Sequence, residues 1–332
     1  MRLMEIDIEE WAEFVTNHPQ TTLFHTREWI STLREGFPSV DVKLYSIIDK
    51  KEDIIGVIPV EINRKMLFRL AGSPLPGLFT PYQGPLLLDS SEVSECELTG
   101  VILQTLKPQF FALDFSPSNS IALVDSNLSA GECRKTILVN LDAAVDQLWR
   151  RLKAKTRNEI RQAQQRGVEI YEPSSASEWL GDYWEMHKEV YLRQRMPPPG
   201  RLAFYEALWK YLYNKDQLKV VLARDQGKTI AGGIFGVFKD RLYFLDGASF
   251  HEYRILRGNN LIQWHIICWA ATKGLRVYDM LGANIPSIAH FKRGFGGMEA
   301  SYGYLKTTCG FRGRIGLRVY ERYRPLFKRL GL

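Results

Sequence analysis

The chain has 332 residues, 45% hydrophobic and 24% charged, with a net charge of +7 and a pI near 9.1. That length fits two domains that each bury a core of their own, and the composition excludes a disordered or collagen-like chain. A solvated basic surface explains the excess charge as readily as a polyanionic partner does, and no apolar run approaches the ~20 residues a membrane span needs.

The N-terminus, Met1 to Glu10, is acidic and lacks an apolar core segment, which reads as a cytoplasmic protein without a signal peptide. Residues 8–17 and 26–36 have helical spacing, with Thr26 placed to cap the second helix. Strands are expected over 42–48, 54–62 and 66–71, then irregular proline-rich loops to Pro85. A short strand begins at Leu86, a helix spans 92–106, and strands follow at 110–115 and 135–140. Around Asp142 the pattern changes to a long amphipathic helix, or a broken pair, over 142–166. Gly167 ends it, and a short strand covers 168–170. Helices at 176–193 and 201–213 precede a meander of strands at 218–223, 229–238 and 241–245. A helix at 258–273, a strand at 277–280, a short helix carrying Phe291 and Lys292, and a strand at 300–306 complete the pattern. The tail from 315 to 330 reads as a basic helix, with Arg318, Arg322, Arg324, Lys328 and Arg329 against Glu321 alone. Both halves thus run helix, hairpin strands, helix, strand, which predicts two related mixed α/β domains in tandem.

Candidate chemistry concentrates late in the chain. Asp279 stands at the end of its strand, and Lys292 and Arg293 follow a turn, so charge meets a rigid edge there. A lysine in that position pins an anionic group or stabilises an oxyanion, and Phe291 shapes a pocket or packs inward. Asp279 orients an amine or a basic residue, or else serves as a salt bridge at the strand end. Lys153, Arg157 and Arg161 fall at i, i+4 and i+8, one helix face that can track phosphates or simply face water. Arg195 and Arg201 flank Pro197-Pro198-Pro199, a stiff loop from which a guanidinium can fork onto a diphosphate. Tyr82 sits in a loop able to wall a cleft between the halves. The terminal basic helix either contacts an anionic membrane face or docks on the first domain.

Other chemistries lack their signatures. The six histidines show no metal-ligand spacing and read as structural, so no metal is expected. Cys96, Cys133, Cys268 and Cys309 form no paired motif and read as reduced, buried thiols. No G-x-S-x-G elbow, G-x-G-x-x-G fingerprint or P-loop occurs.

Several short stretches, in order, resemble one family. They are Arg157-Asn158-Glu159-Ile160-Arg161 with Gly167-Val168-Glu169-Ile170, Ala231-Gly232-Gly233, Asp246-Gly247-Ala248-Ser249, Gln263-Trp264, Tyr278-Asp279 and Phe291-Lys292-x-x-Phe295-Gly296. Trp29, Val57-Ile58-Pro59-Val60 and Gly84-Pro85 add to them in the first half. Together they resemble the Fem-type (FemABX) transferases and their GNAT-like acyltransferase relatives. The resemblance implies an α+β fold of two tandem GNAT-like domains with mostly antiparallel mixed sheets, over 1–140 and 141–312, with a helix at 313–332 returning to the first. It implies transfer of an aminoacyl group from aminoacyl-tRNA to an amine of a nucleotide- or lipid-linked peptidoglycan or other envelope precursor, in the cytoplasm or at the inner membrane face. It carries the transfer site onto Phe291 and Lys292, and precursor binding onto Arg201, with Arg34 near a second such position. The acetyl-CoA loop of ordinary GNAT enzymes is not met. Arg254-Ile255-Leu256-Arg257-Gly258-Asn259-Asn260 stands in its place, and one glycine makes a poor pyrophosphate cradle. No resident cofactor is therefore expected, and acyl-CoA is the alternative donor. A non-catalytic protein that binds an anionic glycan is the third reading.

Overall fold

In the computed structural model, residues 1–65, 67–88, 93–117, 132–198, 200–315, 318 and 322 are described. The chain divides into two units, Met1–Arg134 with the described residues from Ser301 onward, and Lys135–Ala300. The divisions fall inside two strands.

The first unit runs β1 (Arg2–Glu5), α1 (Ile8–Asn17), α2 (Arg27–Gly36), β2 (Val40–Ile48), β3 (Ile54–Lys65), β4 (Phe68–Ser73), β5 (Leu86–Leu87), α3 (Glu95–Leu106) and β6 (Phe110–Asp114). Asp7 caps α1 and Thr26 caps α2, each accepting from first-turn amides. β1 to β4 form antiparallel ladders, α3 crosses over, and β6 then pairs parallel with β4. Alternation of Ile58, Val60 and Ile62 puts one face of β3 against Leu98, Ile102 and Leu106 of α3. β1 is an edge strand that the acidic N-terminal sequence conceals.

The second unit continues through β7 (Glu132–Asn140), α4 (Val145–Arg151), α5 (Ala154–Gln165), β8 (Glu169–Tyr171), α6 (Leu180–Leu192), α7 (Leu202–Leu212), β9 (Leu218–Asp225), β10 (Lys228–Phe238), β11 (Arg241–Ser249), α8 (Gly258–Thr272), β12 (Val277–Asp279), α9 (Pro286–Arg293) and β13 (Met298–Thr308). β8 to β11 are antiparallel, α8 crosses over, β12 pairs parallel with β11, and β7 pairs antiparallel with β12. β13 is divided between the units, and its residues Tyr304–Thr308 belong to the first, where they pair antiparallel with β6. Each unit is thus a mixed, mostly antiparallel sheet flanked by helices. The 142–166 region is a broken pair because Leu152 and Lys153 are extended, and Arg157 donates to the carbonyls of Arg150 and Leu152 at the break.

Two thiol expectations are corrected: Cys96 and Cys133 are exposed, and all four cysteines are unpaired. Residues 310–315 are helical, but most of the basic helix expected over 313–332 lies outside the described residues. Among those described, no helix is long and apolar enough to cross a membrane.

Candidate acyl-transfer site

β12 ends at Asp279, and the next residues leave the sheet through Leu281, whose φ of 55° turns the chain sharply. That turn directs the carbonyls of Leu281 and Gly282 at the helix that follows. α9 opens on Pro286, whose fixed φ suits a first helical position. One turn and a half later Lys292 faces inward, and its Nζ donates to Leu281 O at 2.8 Å and Gly282 O at 2.9 Å. Phe291 and Phe295 pack edge to face at 5.2 Å beside it.

Lys292 is therefore buried, not projecting from a rim: it is 7% exposed. Burial brings its pKa down to about 8, although Asp279 and Asp246 act against the shift. An ammonium has three N–H donors. Two are spent on backbone carbonyls, so the cation is fixed in direction with one donor left for a ligand.

Asp279 does not stand at an open mouth. It is fully buried, takes the Thr136 hydroxyl on Oδ1, and accepts from Leu281 N at 2.8 Å. It holds the turn that holds Lys292, which makes it a positioning residue. Thr136 is a member of this group that sequence reasoning misses, because it comes from β7, far away in the chain.

A cavity of about 190 Å³ is lined by Phe291, Tyr253, Arg254, Arg257, Ser249 and Asn259 among others, while Lys292 itself is not among its lining residues. It lies at the start of α8, whose N-cap Arg257 is left-handed at φ 60° and gives no side-chain cap. The first amides of an uncapped helix carry partial positive charge, and two guanidinium groups add to it. Gly258 is required here by packing: a Cβ would meet the Cβ atoms of Ala223 and Ala231 at 3.0 and 3.1 Å. The single glycine thus seats the helix against the sheet, while the arginines supply the charge. Arg254 to Asn260, which reads in the sequence as a poor pyrophosphate cradle, supplies much of this lining.

The remaining expected residues are placed as follows. Arg293 is exposed and 3.7 Å from Glu299. Lys153 is exposed, and its amide donates to Gly294 O, which ties the α4–α5 break to the end of α9. Arg157 turns back onto carbonyls, and Arg161 lies over the Trp149 ring at 5.4 Å, so the expected phosphate-tracking face keeps Lys153 and Arg161 outward but not Arg157. Arg195 and Arg201 are exposed around the proline loop and are not among the residues lining this cavity. In the first unit, Arg34 donates to Val42 O at 2.9 Å, an engagement with the edge of β2. Tyr82 is a core residue, 1% exposed between Phe24 and Tyr302, and walls nothing open. Among the described residues, no cluster of histidine, cysteine or acidic side chains is arranged to hold a metal ion.

Comparison with known proteins places this geometry. The family model described as "Acetyltransferase (GNAT) domain" matches residues 150–293. The comparison with curated proteins gives no match. Among solved structures, FemX aligns over 97% of this chain and 99% of its own with TM-score 0.65 at 15% identity. The DUF2156 domain of a candidate lysylphosphatidylglycerol synthetase from Agrobacterium fabrum covers 94% and 96%, with TM-score 0.58 at 11% identity. A tandem GNAT protein from the clavulanic acid biosynthesis pathway covers 93% and 98%, with TM-score 0.57 at 9% identity. Identities this low speak for the fold. Residues 150–293, which include Lys292 and the residues lining the cavity, match the GNAT acetyltransferase domain model, and the chain as a whole shares the fold of FemX and of the tandem GNAT protein.

Proposed function

We propose that this protein transfers an aminoacyl group from aminoacyl-tRNA to an amine of a cell-envelope precursor, with Lys292 at the reacting carbonyl. The observation that carries the reading is the buried, directionally fixed ammonium of Lys292, next in the chain to Phe291, which lines a cavity together with Arg254 and Arg257. The amine nitrogen attacks the ester carbonyl, and the oxygen becomes an oxyanion that takes the remaining Lys292 N–H. The C–O ester bond then breaks, and the tRNA 3′ hydroxyl leaves with the proton lost by the amine. Holding both substrates in one pocket supplies much of the rate. Arg254 and Arg257 meet the phosphate-bearing end of the donor, and Lys153 and Arg161 suit the more distant tRNA backbone. Arg195, Arg201 and Arg293 are the cations offered to the acceptor diphosphate. FemX and the Agrobacterium domain have the same fold, which supports the reading without fixing the substrate.

The ammonium form of Lys292 is present below about pH 8 and is lost as pH rises through that value. Turnover should fall on the alkaline side of pH 8, well below the ordinary lysine range. The acyl-CoA reading shares the phosphate-binding cavity and differs in the donor. Incubation with mixed charged tRNAs, with acyl-CoAs and with UDP-linked muropeptides, followed by mass spectrometry, separates them. An aminoacyl mass increment that requires charged tRNA supports the proposal. An increment from acyl-CoA alone replaces it with the second reading, and binding of precursor without any increment leaves a non-catalytic glycan-binding protein.

A further inference from the structure

A second polar group in the same domain has no part in holding Lys292 directly. Asp246 lies on β11 next to a register shift, where Ile234 faces Asp246 and Phe235 faces Phe244. One extra residue, Leu245, reverses the alternation there, so Phe244 and Asp246 point to opposite faces of the strand. Phe244 joins the α8 side with Phe235 and lies 5.6 Å below the Lys292 ammonium. Asp246 is turned toward α6 and α7 instead. Gly232 on β10 leaves room above it: a Cβ there would meet the Tyr183 ring at 2.8 Å.

Around the carboxylate stand His187, Tyr183, Trp184 and Tyr191 of α6 and Tyr205 of α7. Tyr205 donates to Oδ2 at 2.6 Å, His187 Nδ1 is 3.2 Å from the same oxygen, and Gly247 N donates to Oδ1 at 2.9 Å. The rings form a closed group, with His187 and Tyr191 centroids 5.0 Å apart, Trp184 and His187 5.6 Å, and Tyr183 and Tyr205 5.3 Å. Three features are unusual for a structural ion pair. Among the described residues, Asp246 has no lysine or arginine partner. Its side chain keeps 19% exposure. The Tyr183 hydroxyl, fully buried, is directed toward the carboxylate without completing a hydrogen bond of good geometry. Burial works to raise the Asp246 pKa, but His187 and Tyr205 outweigh it and keep the group ionised. Tyr191 feels the charge: burial and Asp246 push it up to about 12.

We propose that Asp246, framed by these aromatic rings, is a recognition site for a primary ammonium group of the substrate. A carboxylate inside π faces is the chemistry that selects an organic cation, since the ring quadrupoles and the negative charge act in the same sense. The open side of Asp246 accepts the ammonium N–H, with the buried Tyr183 hydroxyl standing behind the carboxylate. The site belongs to the same domain as Lys292, and its charge reaches that ammonium. It deepens the aminoacyl-transfer reading, on which it rests, by naming what holds the amine-bearing part of a substrate.

Binding can be measured without turnover, using n-butylammonium as the charged probe and 1-butanol as its neutral counterpart, with tryptophan fluorescence and calorimetry on the full chain. The wild type should bind the cation saturably and the alcohol not at all. Asp246→Asn should weaken the cation at least tenfold, and Tyr183→Phe about threefold, with near-ultraviolet dichroism unchanged. Lys292→Met, which removes a nearby positive charge, should bind the cation at least as tightly as the wild type does. Equal binding of the alcohol, no saturable binding by the wild type, or unchanged affinity in a folded Asp246→Asn each overturns the proposal. If Asp246→Asn does not fold, an unchanged affinity in Tyr183→Phe overturns it. Cation binding that persists while no donor supports transfer defeats the aminoacyl reading alone. Transfer without cation binding defeats the ammonium site alone.

Discussion

The two units share one strand plan and use it differently. In each, four strands zigzag antiparallel, a helix crosses over, the fifth strand pairs parallel, and a sixth closes the order antiparallel. Even the fifth strands end alike, on a buried aspartate: Asp114 in the first unit and Asp279 in the second. Their partners differ. Asp114 is 2.8 Å from the Arg134 guanidinium, a side-chain ion pair, whereas Asp279 secures the backbone turn that positions Lys292. The crossover helices differ as well. α3 begins on Ser94, whose hydroxyl accepts from Glu97 N, while α8 begins on a left-handed arginine with no cap and a cavity at its start. A helix start with its amides satisfied is finished structure; the start of α8 has no side-chain cap, and its Arg257 stands 3.6 Å from the Glu159 carboxylate. The same ladder thus ends on a side-chain ion pair in one unit and on a lysine-holding turn in the other.

The sharpest test of that contrast is Lys292→Met. Turnover should fall about 10- to 1000-fold, the loss expected for one oxyanion stabiliser, in an assay with verified donor and acceptor. Stability should change little, because relief of a desolvated charge offsets the missing hydrogen bonds to Leu281 and Gly282. Unfolding of the first unit responds to pH instead. Glu61 is wholly buried with Oε1 unpartnered, and burial pushes it up to about 8; burial likewise raises Asp114 to about 7 despite Arg134. Here the folded state binds protons more tightly than the unfolded one. The contribution of Glu61 and Asp114 to stability is therefore greatest below about pH 4 and is lost as pH rises through 7 and 8, by about 5 kcal/mol for Glu61 at most. Denaturant titrations at pH 5 and 9 measure it, and Glu61→Gln should flatten the difference. A wild-type stability equal at both pH values would show that these carboxyls ionise freely.

Much of this organisation is legible in the sequence, for local reasons. Alternating Val57 to Ile62, the turn at Asp225-Gln226-Gly227 and the apolar run of α8 each state their own structure. Phe291-Lys292 is legible through the family it resembles. The rest depends on residues that meet only in space. The carbonyls of Leu281 and Gly282 carry no side-chain signature, and Thr136 and Asp279 come together across two strands. Tyr82 and Arg34 mislead for the opposite reason. A tyrosine in a proline-rich loop and an arginine late in a helix look available, but the loop folds into the core and the guanidinium finds a strand carbonyl. His187 and Asp246 have no shared motif, and the bulge that turns Asp246 toward α6 is invisible without the register.

Gly258→Ala probes the helix start that distinguishes the second unit. The added methyl would press on Ala223 and Ala231 at 3.0 and 3.1 Å, with strand side chains on the far side. Overpacking of this kind costs about 1–3 kcal/mol, read as a lower denaturant midpoint. It should also shift α8 against the cavity, raising KM for the phosphate-bearing donor more than it lowers kcat. A variant as stable as wild type with an unchanged KM would separate the cavity from the packing of α8.

The smallest effect belongs to the matching helix in the first unit. Ser94→Ala removes the hydroxyl that accepts from Glu97 N at 3.2 Å and leaves a first-turn amide of α3 to water. Loss of such a cap costs about 1 kcal/mol. α3 contributes Leu98, Ile102 and Leu106 to the first unit's core, so the cost should appear as faster amide exchange along α3 and a slightly lower midpoint. Donor KM should stay where it was, because no part of α3 meets the α8 cavity. A change in donor KM without a change in α3 exchange would mean that the capped helix also takes part in binding, and the division of labour between the two crossovers would fail.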